Sequence, residues 1–322
     1  MHLHLMNNES NKKSGFNFLL RAFFLMAAAT NSLAEPPVPD YANIQYGTDA
    51  KCVLDFWKAP SAIPTAVVIY IHGGGFRSGD KSEAIHHAAI EQYLKAGISV
   101  ASINYRIRPA PVPDILRDCA RAVQFIRHKS AEWNVDKKRI GVCGGSAGGC
   151  AALWLAFHSD LADASNPDPV LRESTRPACA AAFNFQYTLD LVSLESFFTG
   201  KGVVIPQQFR MSMDVPGYYG LKNEEELNSP AGQKLRADCD LPNLITKDAP
   251  PVFLECMENG GIGNDFNQLI HHPMHAEAMK KSCDKIGIVA IAKIPAFGIS
   301  PAAQQPATIE QFFLKYLSSP AP

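Results

Sequence analysis

Residues 139–150 read RIGVCGGSAGGC, and this stretch decides the fold. Its apolar start predicts a short buried strand, its Gly-Gly-Ser-Ala-Gly segment a sharp turn, and the apolar residues 150–157 a helix. Glycines two places before and two places after Ser146 permit a strained strand-to-helix turn that lifts the serine hydroxyl above the sheet edge. The stretch therefore predicts a nucleophile elbow centred on Ser146. The alternative is a glycine-rich turn with a passive serine.

The overall composition is that of an ordinary globular protein. A chain of 322 residues, 47% hydrophobic and 19% charged, accommodates one large α/β domain or two small ones. Lysine and arginine number 30 and aspartate and glutamate 31, which gives a formal net charge of −1. This balance points to neither nucleic acid nor a strongly charged membrane surface as a partner.

The N-terminal residues have the pattern of a targeting segment. Basic residues precede the apolar run 22–29, and small residues follow at positions 32 and 34 of the stretch 32–34. This order predicts a secretory signal peptide over residues 1–34, a mature domain over 35–322 and export to the periplasm or the outside. An uncleaved membrane anchor is the alternative, but the apolar run is shorter than the roughly 20 residues that span a bilayer. We therefore expect no stable membrane anchor.

Eight cysteines are spread widely along the chain. Their spacing does not resemble the framework of a small disulfide-stapled domain, and no paired Cys-x-x-Cys indicates a zinc site. We expect most of them to be small buried hydrophobic residues, and the sequence leaves any pairing open. They are Cys52, Cys119, Cys143, Cys150, Cys179, Cys239, Cys256 and Cys283.

Strands and helices are predicted to alternate before the elbow. The β-branched run 66–71 predicts a strand buried on both faces, and a second strand is predicted at 98–105. Helices are predicted at 82–96 and 113–129. This order predicts a doubly wound, mostly parallel sheet whose ligands lie beyond the carboxyl ends of the strands.

A second glycine cluster lies at the same predicted sheet edge. Residues 72–75 read HGGG and follow the buried strand directly. Their backbone N–H groups, together with that of Ala147, are placed to face a substrate oxygen bound over Ser146. The alternative is a tight turn without a ligand.

These motifs together resemble the α/β-hydrolase fold. Within it they are similar to the carboxylesterases related to hormone-sensitive lipase and to bacterial feruloyl- and acetyl-xylan-esterase-like enzymes. The resemblance is strong over residues 66–189 and returns near Pro250. It implies an eight-stranded, mostly parallel sheet, a Ser-acid-His triad in that chain order, and oxyanion donors at Gly74, Gly75 and Ala147. The residues that carry it are 71–81, 104–106, the helix from Pro113, and 144–149.

Residues 190–248, which we call the inserted segment, lack clean periodicity. Their mixture of aromatic, methionine, proline and acidic residues predicts irregular helices between late strands. In the resembling family such an insertion forms a cap over the serine, which would supply an apolar acyl or aryl pocket. The alternative is a surface excursion that does not contact the substrate.

The carboxylate of the triad is expected in the loop that follows the predicted strand 251–257. The resemblance makes Asp265 the best candidate acid, with Glu258 as a weaker one. A purely local role for Asp265, in capping the helix predicted at 272–284, is the alternative.

The triad histidine is absent from its expected place. In the resembling family it lies in the turn after the last strand, predicted here at 286–293, but Phe297 occupies that turn and no histidine follows His275. A serine hydroxyl is a poor nucleophile without an adjacent base. Each candidate for a substitute base is also explained as an ordinary helix residue. These histidines are His271, His272, His275, His86 and His87.

Two hypotheses about function follow. The first is an exported serine hydrolase acting on a small-molecule or polysaccharide-linked carboxylic ester, with a displaced histidine as base. The second is a catalytically impaired binding or scaffold protein on a hydrolase fold. No cofactor or metal is implied, because the glycine clusters lack dinucleotide and P-loop spacing. The oligomeric state is left open.

Overall fold

Eight strands form one sheet in the computed structural model, which describes residues 37–203, 205, 214–261 and 266–318. The order across the sheet is β1-β2-β4-β3-β5-β6-β7-β8, antiparallel from β1 to β4 and parallel from there on. This architecture confirms the predicted α/β-hydrolase fold. The strands are β1 (Tyr41–Gln45), β2 (Val53–Trp57), β3 (Thr65–Ile71), β4 (Ile98–Ile103), β5 (Val135–Gly145), β6 (Cys179–Phe183), β7 (Val252–Glu255) and β8 (Ala290–Lys293).

Helices cover both faces of the sheet. Strand β3 is buried along its whole length, with Val67 and Ile69 packed into one apolar cluster and Val68 and Tyr70 into another. Such a strand needs apolar residues at consecutive positions, as its sequence predicts. The helices are α1 (Ala84–His87), α2 (Ile90–Lys95), α3 (Val112–His128), α4 (Ser130–Trp133), α5 (Ala147–Phe157), α6 (Leu191–Gly200), α7 (Val215–Tyr218), α8 (Glu224–Asn228), α9 (Pro230–Ala237), α10 (Leu241–Leu244), α11 (Phe266–Ile270), α12 (Met274–Ile286) and α13 (Ile309–Leu317).

Two sequence predictions about element boundaries are wrong. The helix expected at 82–96 is interrupted between α1 and α2, where Ala89 has a left-handed φ of 46° and the chain turns so that Ile90 and Tyr93 are buried. The last strand starts at Ala290 rather than at 286, because helix α12 runs on to Ile286 and ends at Gly287 in the left-handed region. Packing overrides local propensity in both places.

The inserted segment joins β6 to β7. Its described part contains the short helices α6 to α10, each of ten residues or fewer. None of the helices in the described ranges combines the length and the apolar character that a membrane span requires. The predicted signal peptide lies outside the described residues, so the boundaries 1–34 and 35–322 stay predictions.

The parallel strands bring the chemically interesting residues to one edge. The HGGG residues follow β3, Ser146 follows β5, Asn184 follows β6 and Glu258 lies beyond β7. Ligands of open α/β sheets bind at this carboxyl edge.

Candidate active site

Ser146 occupies a strained turn between β5 and α5. Its φ is 51° and its ψ −123°, a conformation that residues with a side chain rarely adopt. The turn is held because the Ser146 N–H donates to the Phe183 carbonyl over 3.0 Å. Strain of this kind is concentrated at functional sites, where the surrounding structure enforces it.

The glycine at position 148 lets helix α5 approach the sheet closely. A Cβ added to Gly148 would lie 2.0 Å from the carbonyl oxygen of Ile71 at the end of β3. Only a residue without a side chain fits there, so the glycines that follow Ser146 have a packing role as well as a conformational one.

Residues 72–78, which we call the glycine loop, lie against the serine. A Cβ added to Gly73 would be 3.5 Å from the Cβ of Ser146. Gly74 has a φ of 92°, and its carbonyl accepts hydrogen bonds from the backbone N–H groups of Arg77 at 2.9 Å and Ser78 at 3.1 Å. The loop is therefore a defined turn beside the serine.

Tyr105 supports the glycine loop by contacts with its first residue, His72. Its hydroxyl donates to the carbonyl of His72 over 2.6 Å, and its ring stacks on the His72 ring with the centroids 4.2 Å apart. Burial lowers the pKa of His72. Because this ring is buried against Tyr105, His72 acts as a support of the loop.

Three backbone N–H groups of the glycine loop and of helix α5 have no hydrogen-bond acceptor among the described residues. Within the described part of the chain, no protein acceptor is paired with the N–H groups of Gly74, Gly75 or Ala147. Gly74 and Gly75 are exposed, whereas Ala147 is buried at the first position of α5. The first N–H groups of a helix have no partner within it, which leaves that of Ala147 available as a donor.

His271 is the base candidate that contacts the serine. Its Nε2 lies 2.8 Å from Ser146 Oγ, and it follows the last residue of α11, 125 positions along the chain from the serine. Burial lowers the pKa of His271, whereas the charge of Glu258 and a hydrogen bond to the Asn267 carbonyl act in the opposite direction. The imidazole is therefore kept neutral near pH 7, as a proton acceptor must be.

The neighbouring histidines are used otherwise. His272 contacts the Gly260 carbonyl through Nε2 at 3.0 Å and accepts from the Met274 N–H through Nδ1 at 3.1 Å. His275 is buried and accepts from the Tyr187 N–H over 3.1 Å. His86 is exposed on α1. The side chain of His87 is not among those that the structure describes. Of the five candidates, the structure pairs His271 with Ser146.

Side chains from neighbouring elements bind three consecutive backbone carbonyls and so hold the backbone that carries His271. His275 Nε2 lies 3.1 Å from the Leu269 oxygen, and Gln186 Nε2 donates to the Ile270 oxygen over 2.9 Å. Cys256 Sγ donates to the His271 oxygen over 3.3 Å. Gln186 also contacts Cys150 on α5 at 3.3 Å, which links this anchorage to the serine helix. Nothing local in the sequence signals Gln186 as a positioning residue.

The predicted acid Asp265 lies outside the described residues, so its role stays a prediction. Among the described carboxylates, the charge of Glu258 raises the pKa of His271. The Nδ2 of Asn184 donates to Glu258 Oε1 over 3.3 Å. Glu258, in the loop in which the resemblance places the acid, is held by Asn184, and its charge favours the imidazolium form of His271.

Phe297 lies in a 3₁₀ turn, Pro295–Phe297, directly after β8. Its ring is 6.0 Å from that of His272 and is 40% exposed. The turn that was expected to carry the histidine therefore provides no base. No group of three or more His, Cys, Asp or Glu side chains in the described ranges is arranged to hold a metal ion.

Comparisons with known proteins agree with this fold. The sequence model of the family described as BD-FAE matches residues 54–216, half of the chain. An acetyl esterase of Salmonella schwarzengrund is 25% identical over 225 residues, which cover 68% of this chain and 62% of that protein. Lipase 2 of Moraxella sp. is 35% identical over 92 residues, or 28% of this chain and 21% of the lipase. The chain thus spans less than two thirds of these relatives.

A solved structure extends the likeness in three dimensions. The acetyl ester-xyloside bifunctional hydrolase from Caldicellulosiruptor lactoaceticus superposes with a TM-score of 0.55 at 24% identity, covering 74% of this chain and 75% of that one. At this identity the likeness speaks for the fold alone.

Proposed function

Because this chain belongs to the BD-FAE family of esterase-like α/β-hydrolases, we propose that it is a serine hydrolase that cleaves carboxylic esters. The observation that carries the proposal is the 2.8 Å contact between Ser146 Oγ and His271 Nε2. A nucleophile and a base within hydrogen-bond reach are what acyl transfer to serine requires.

In the proposed first half-reaction, His271 Nε2 takes the hydroxyl proton while Ser146 Oγ attacks the acyl carbon. The N–H groups of Gly74, Gly75 and Ala147 bind the oxyanion that develops on the carbonyl oxygen. The imidazolium then gives its proton to the alcohol oxygen as the ester bond breaks, which leaves an acyl-serine. In the second half-reaction the same imidazole takes a proton from water while the water oxygen attacks the acyl carbon. The imidazolium then returns this proton to Ser146 Oγ as the bond between the acyl carbon and the serine oxygen breaks, which releases the acid and restores the serine.

A carboxylate near His271 would stabilise the imidazolium formed in both half-reactions. Glu258 and Asp265 are the proposed groups: Glu258 because its charge acts on the ring, and Asp265 because of its place in the loop after β7. Substituting each by its amide separates their contributions to kcat.

The acyl group is proposed to be short. The Salmonella relative is named an acetyl esterase, which supports a short acyl group. The alcohol portion is proposed to be a small molecule or a polysaccharide. Export is proposed from the basic, apolar and small-residue order of residues 1–34, and N-terminal sequencing of the protein recovered outside the cytoplasm tests it.

Hydrolysis of 4-nitrophenyl acetate tests the proposed function. We expect turnover by the unmodified protein and a loss on the order of 10⁴-fold or more in Ser146→Ala. Ser165→Ala, at an exposed serine in a loop, is the matched control and should retain full activity. Turnover that survives Ser146→Ala would refute the proposal.

A further inference from the structure

The side chain of Arg108 lies between the glycine loop and the inserted segment. Its backbone N–H donates to the Phe76 carbonyl over 2.7 Å, and Phe76 directly follows Gly75. Its guanidinium carbon lies 5.3 Å from the centre of the Tyr218 ring, on helix α7. The backbone of Arg108 is therefore anchored to the glycine loop, and its guanidinium lies against the Tyr218 ring of the inserted segment.

Arg108 is partly buried and has no hydrogen-bonded acceptor for its side chain among the described residues. Its side chain is only 11% exposed, and the one described carboxylate within ion-pair range is Asp214, with 3.7 Å between Nη2 and Oδ2. That distance exceeds a hydrogen bond, and the Asp214 side chain is 67% exposed. Asp214 Oδ1 already accepts from the Gly217 N–H over 3.1 Å at the start of α7.

Other arginines of similar burial are hydrogen-bonded. Arg236, whose side chain is 16% exposed, donates to both oxygens of Asp190, at 3.0 and 3.2 Å. Arg139, also 16% exposed, donates to Asp136 over 2.8 Å. Arg106, two residues before Arg108, is more exposed, at 32%, and still donates to both oxygens of Asp118, at 2.7 and 2.8 Å. Arg108 differs from these three in having no described side-chain hydrogen bond.

A second guanidinium adds positive charge at the same place. Arg77 belongs to the glycine loop, is exposed, and has no described carboxylate within ion-pair range. Burial, together with the positive charge of Arg77, lowers the pKa of Arg108. A desolvated guanidinium with free donors is costly unless a ligand satisfies it, and its planar fork suits a carboxylate.

We propose that Arg108, assisted by Arg77, binds an anionic substituent, in particular a carboxylate, on the ester substrate. This inference rests on the proposed function, since it places the carboxylate on a substrate held over Ser146. The carboxylate belongs either to the acyl portion or to the alcohol portion, and the substrates below separate the two sources.

Matched pairs of esters test this inference. For the alcohol portion we compare 4-acetoxybenzoate with its neutral methyl ester, and for the acyl portion mono(4-nitrophenyl) adipate with its neutral methyl ester. The readout is the ratio of kcat/KM for the anionic to the neutral ester. In Arg108→Met, which keeps an apolar stem over Tyr218, we expect this ratio to fall about 10- to 100-fold for one pair.

Two further variants test the direction of the change in this ratio and its specificity for Arg108. Asp214→Asn keeps a residue suited to the start of α7 but removes the competing charge, so the ratio should rise about twofold to fivefold. Arg117→Met is the control, because Arg117 also pairs with aspartate at more than 3.5 Å but lies on α3, half-exposed. It should leave the ratio unchanged.

Three results would overturn the inference. The first is an equal loss for anionic and neutral esters in Arg108→Met, which would indicate only a support of the glycine loop. The second is a fall of the ratio in Asp214→Asn, which would indicate a structural ion pair. The third is an Arg108→Met protein that hydrolyses all four esters with the kcat/KM of the unmodified protein.

A binding measurement separates this inference from the proposed function. If neutral esters are not hydrolysed at Ser146, the proposed function fails, and calorimetric titration of Ser146→Ala with 4-hydroxybenzoate and with adipate still tests the anion site. Weaker binding of either acid when Arg108→Met is added supports the site. Equal affinity in the two backgrounds, or no binding, refutes it.

Discussion

At the scale of single residues, proton transfer depends on which atoms meet and not on where they lie in the chain. His271 reaches Ser146 Oγ from the end of α11, whereas the turn after β8 carries Phe297. Serine, base and acid recur in different chain orders on unrelated folds, so a displaced base is chemically equivalent if its geometry is right.

The pH dependence of kcat/KM should report the protonation of His271. Since burial lowers its pKa and the base must be neutral, activity should rise with pH through a midpoint below 6.5 and level off above it. Glu258→Gln removes a charge that favours the imidazolium, so the midpoint should move further down. Glu132→Gln, at an exposed glutamate on α4, is the control. A midpoint that moves up in Glu258→Gln would contradict this electrostatic account.

At the scale of elements, helix α5 is held against the end of β3 by the absence of a side chain at position 148. Gly148→Ala places a Cβ 2.0 Å from the Ile71 oxygen, so the helix must move and the free energy of unfolding should fall by about 2 kcal/mol or more. Gly200→Ala, at the end of α6 with nothing within 4 Å of the added carbon, should change stability by less than about 1 kcal/mol. Urea denaturation measures both, and equal effects would contradict the packing argument.

His275 on α12 contacts the Leu269 carbonyl of α11, and folding keeps its imidazole neutral. Burial lowers the pKa of His275 to about 3, whereas an unfolded chain has the ordinary value near 6.5. Between these values the unfolded state binds more protons, so this contribution to stability is present above pH 6.5 and is lost as the pH falls. From this difference in pKa we expect the free energy of unfolding to fall by about 3 kcal/mol from pH 7 to pH 4.

Replacing this histidine should flatten the pH dependence of stability. His275→Gln keeps a donor for the Leu269 carbonyl and an acceptor for the Tyr187 N–H but does not titrate. Urea denaturation at pH 7 and pH 4 should therefore show a smaller difference in the variant than in the unmodified protein. His128→Gln, at an exposed histidine, is the control. An unchanged difference in His275→Gln would show that another group is responsible.

The strands, turns and helices differ in how well the sequence predicts them. Strand β3 and the strand-to-helix turn at Ser146 are predicted correctly because a β-branched run and a glycine spacing are local signals. The break between α1 and α2 is missed because burial of Ile90 and Tyr93 decides it. The contact of Ser146 with His271 joins residues 125 apart and depends on the path of the loop after β7, which no local pattern encodes.

At the scale of the whole molecule, the eight cysteines are free and buried. Burial raises the thiol pKa, to about 12 for Cys143 and Cys150, which keeps these groups protonated and unreactive. The apolar packing of the sheet and its helices therefore holds the fold without a disulfide among these residues. This agrees with the expectation that they are small buried hydrophobic residues.

Reductant should have no effect on thermal stability. We expect the same Tm with and without dithiothreitol, and eight titratable thiols after denaturation of the purified, unreduced protein. Thiol titration with Ellman's reagent checks this count. A lower count, together with a Tm that falls on reduction, would show that a disulfide forms despite the burial.

The most direct test of the account is the activity of His271→Ala on 4-nitrophenyl acetate, measured beside Ser146→Ala and the double variant. If His271 is the base for Ser146, each single substitution lowers kcat on the order of 10⁴- to 10⁶-fold, and the double variant is no slower than the singles. Phe297→Ala, in the turn after β8, should retain activity. A His271→Ala protein that hydrolyses the ester at the rate of the unmodified protein would contradict the account.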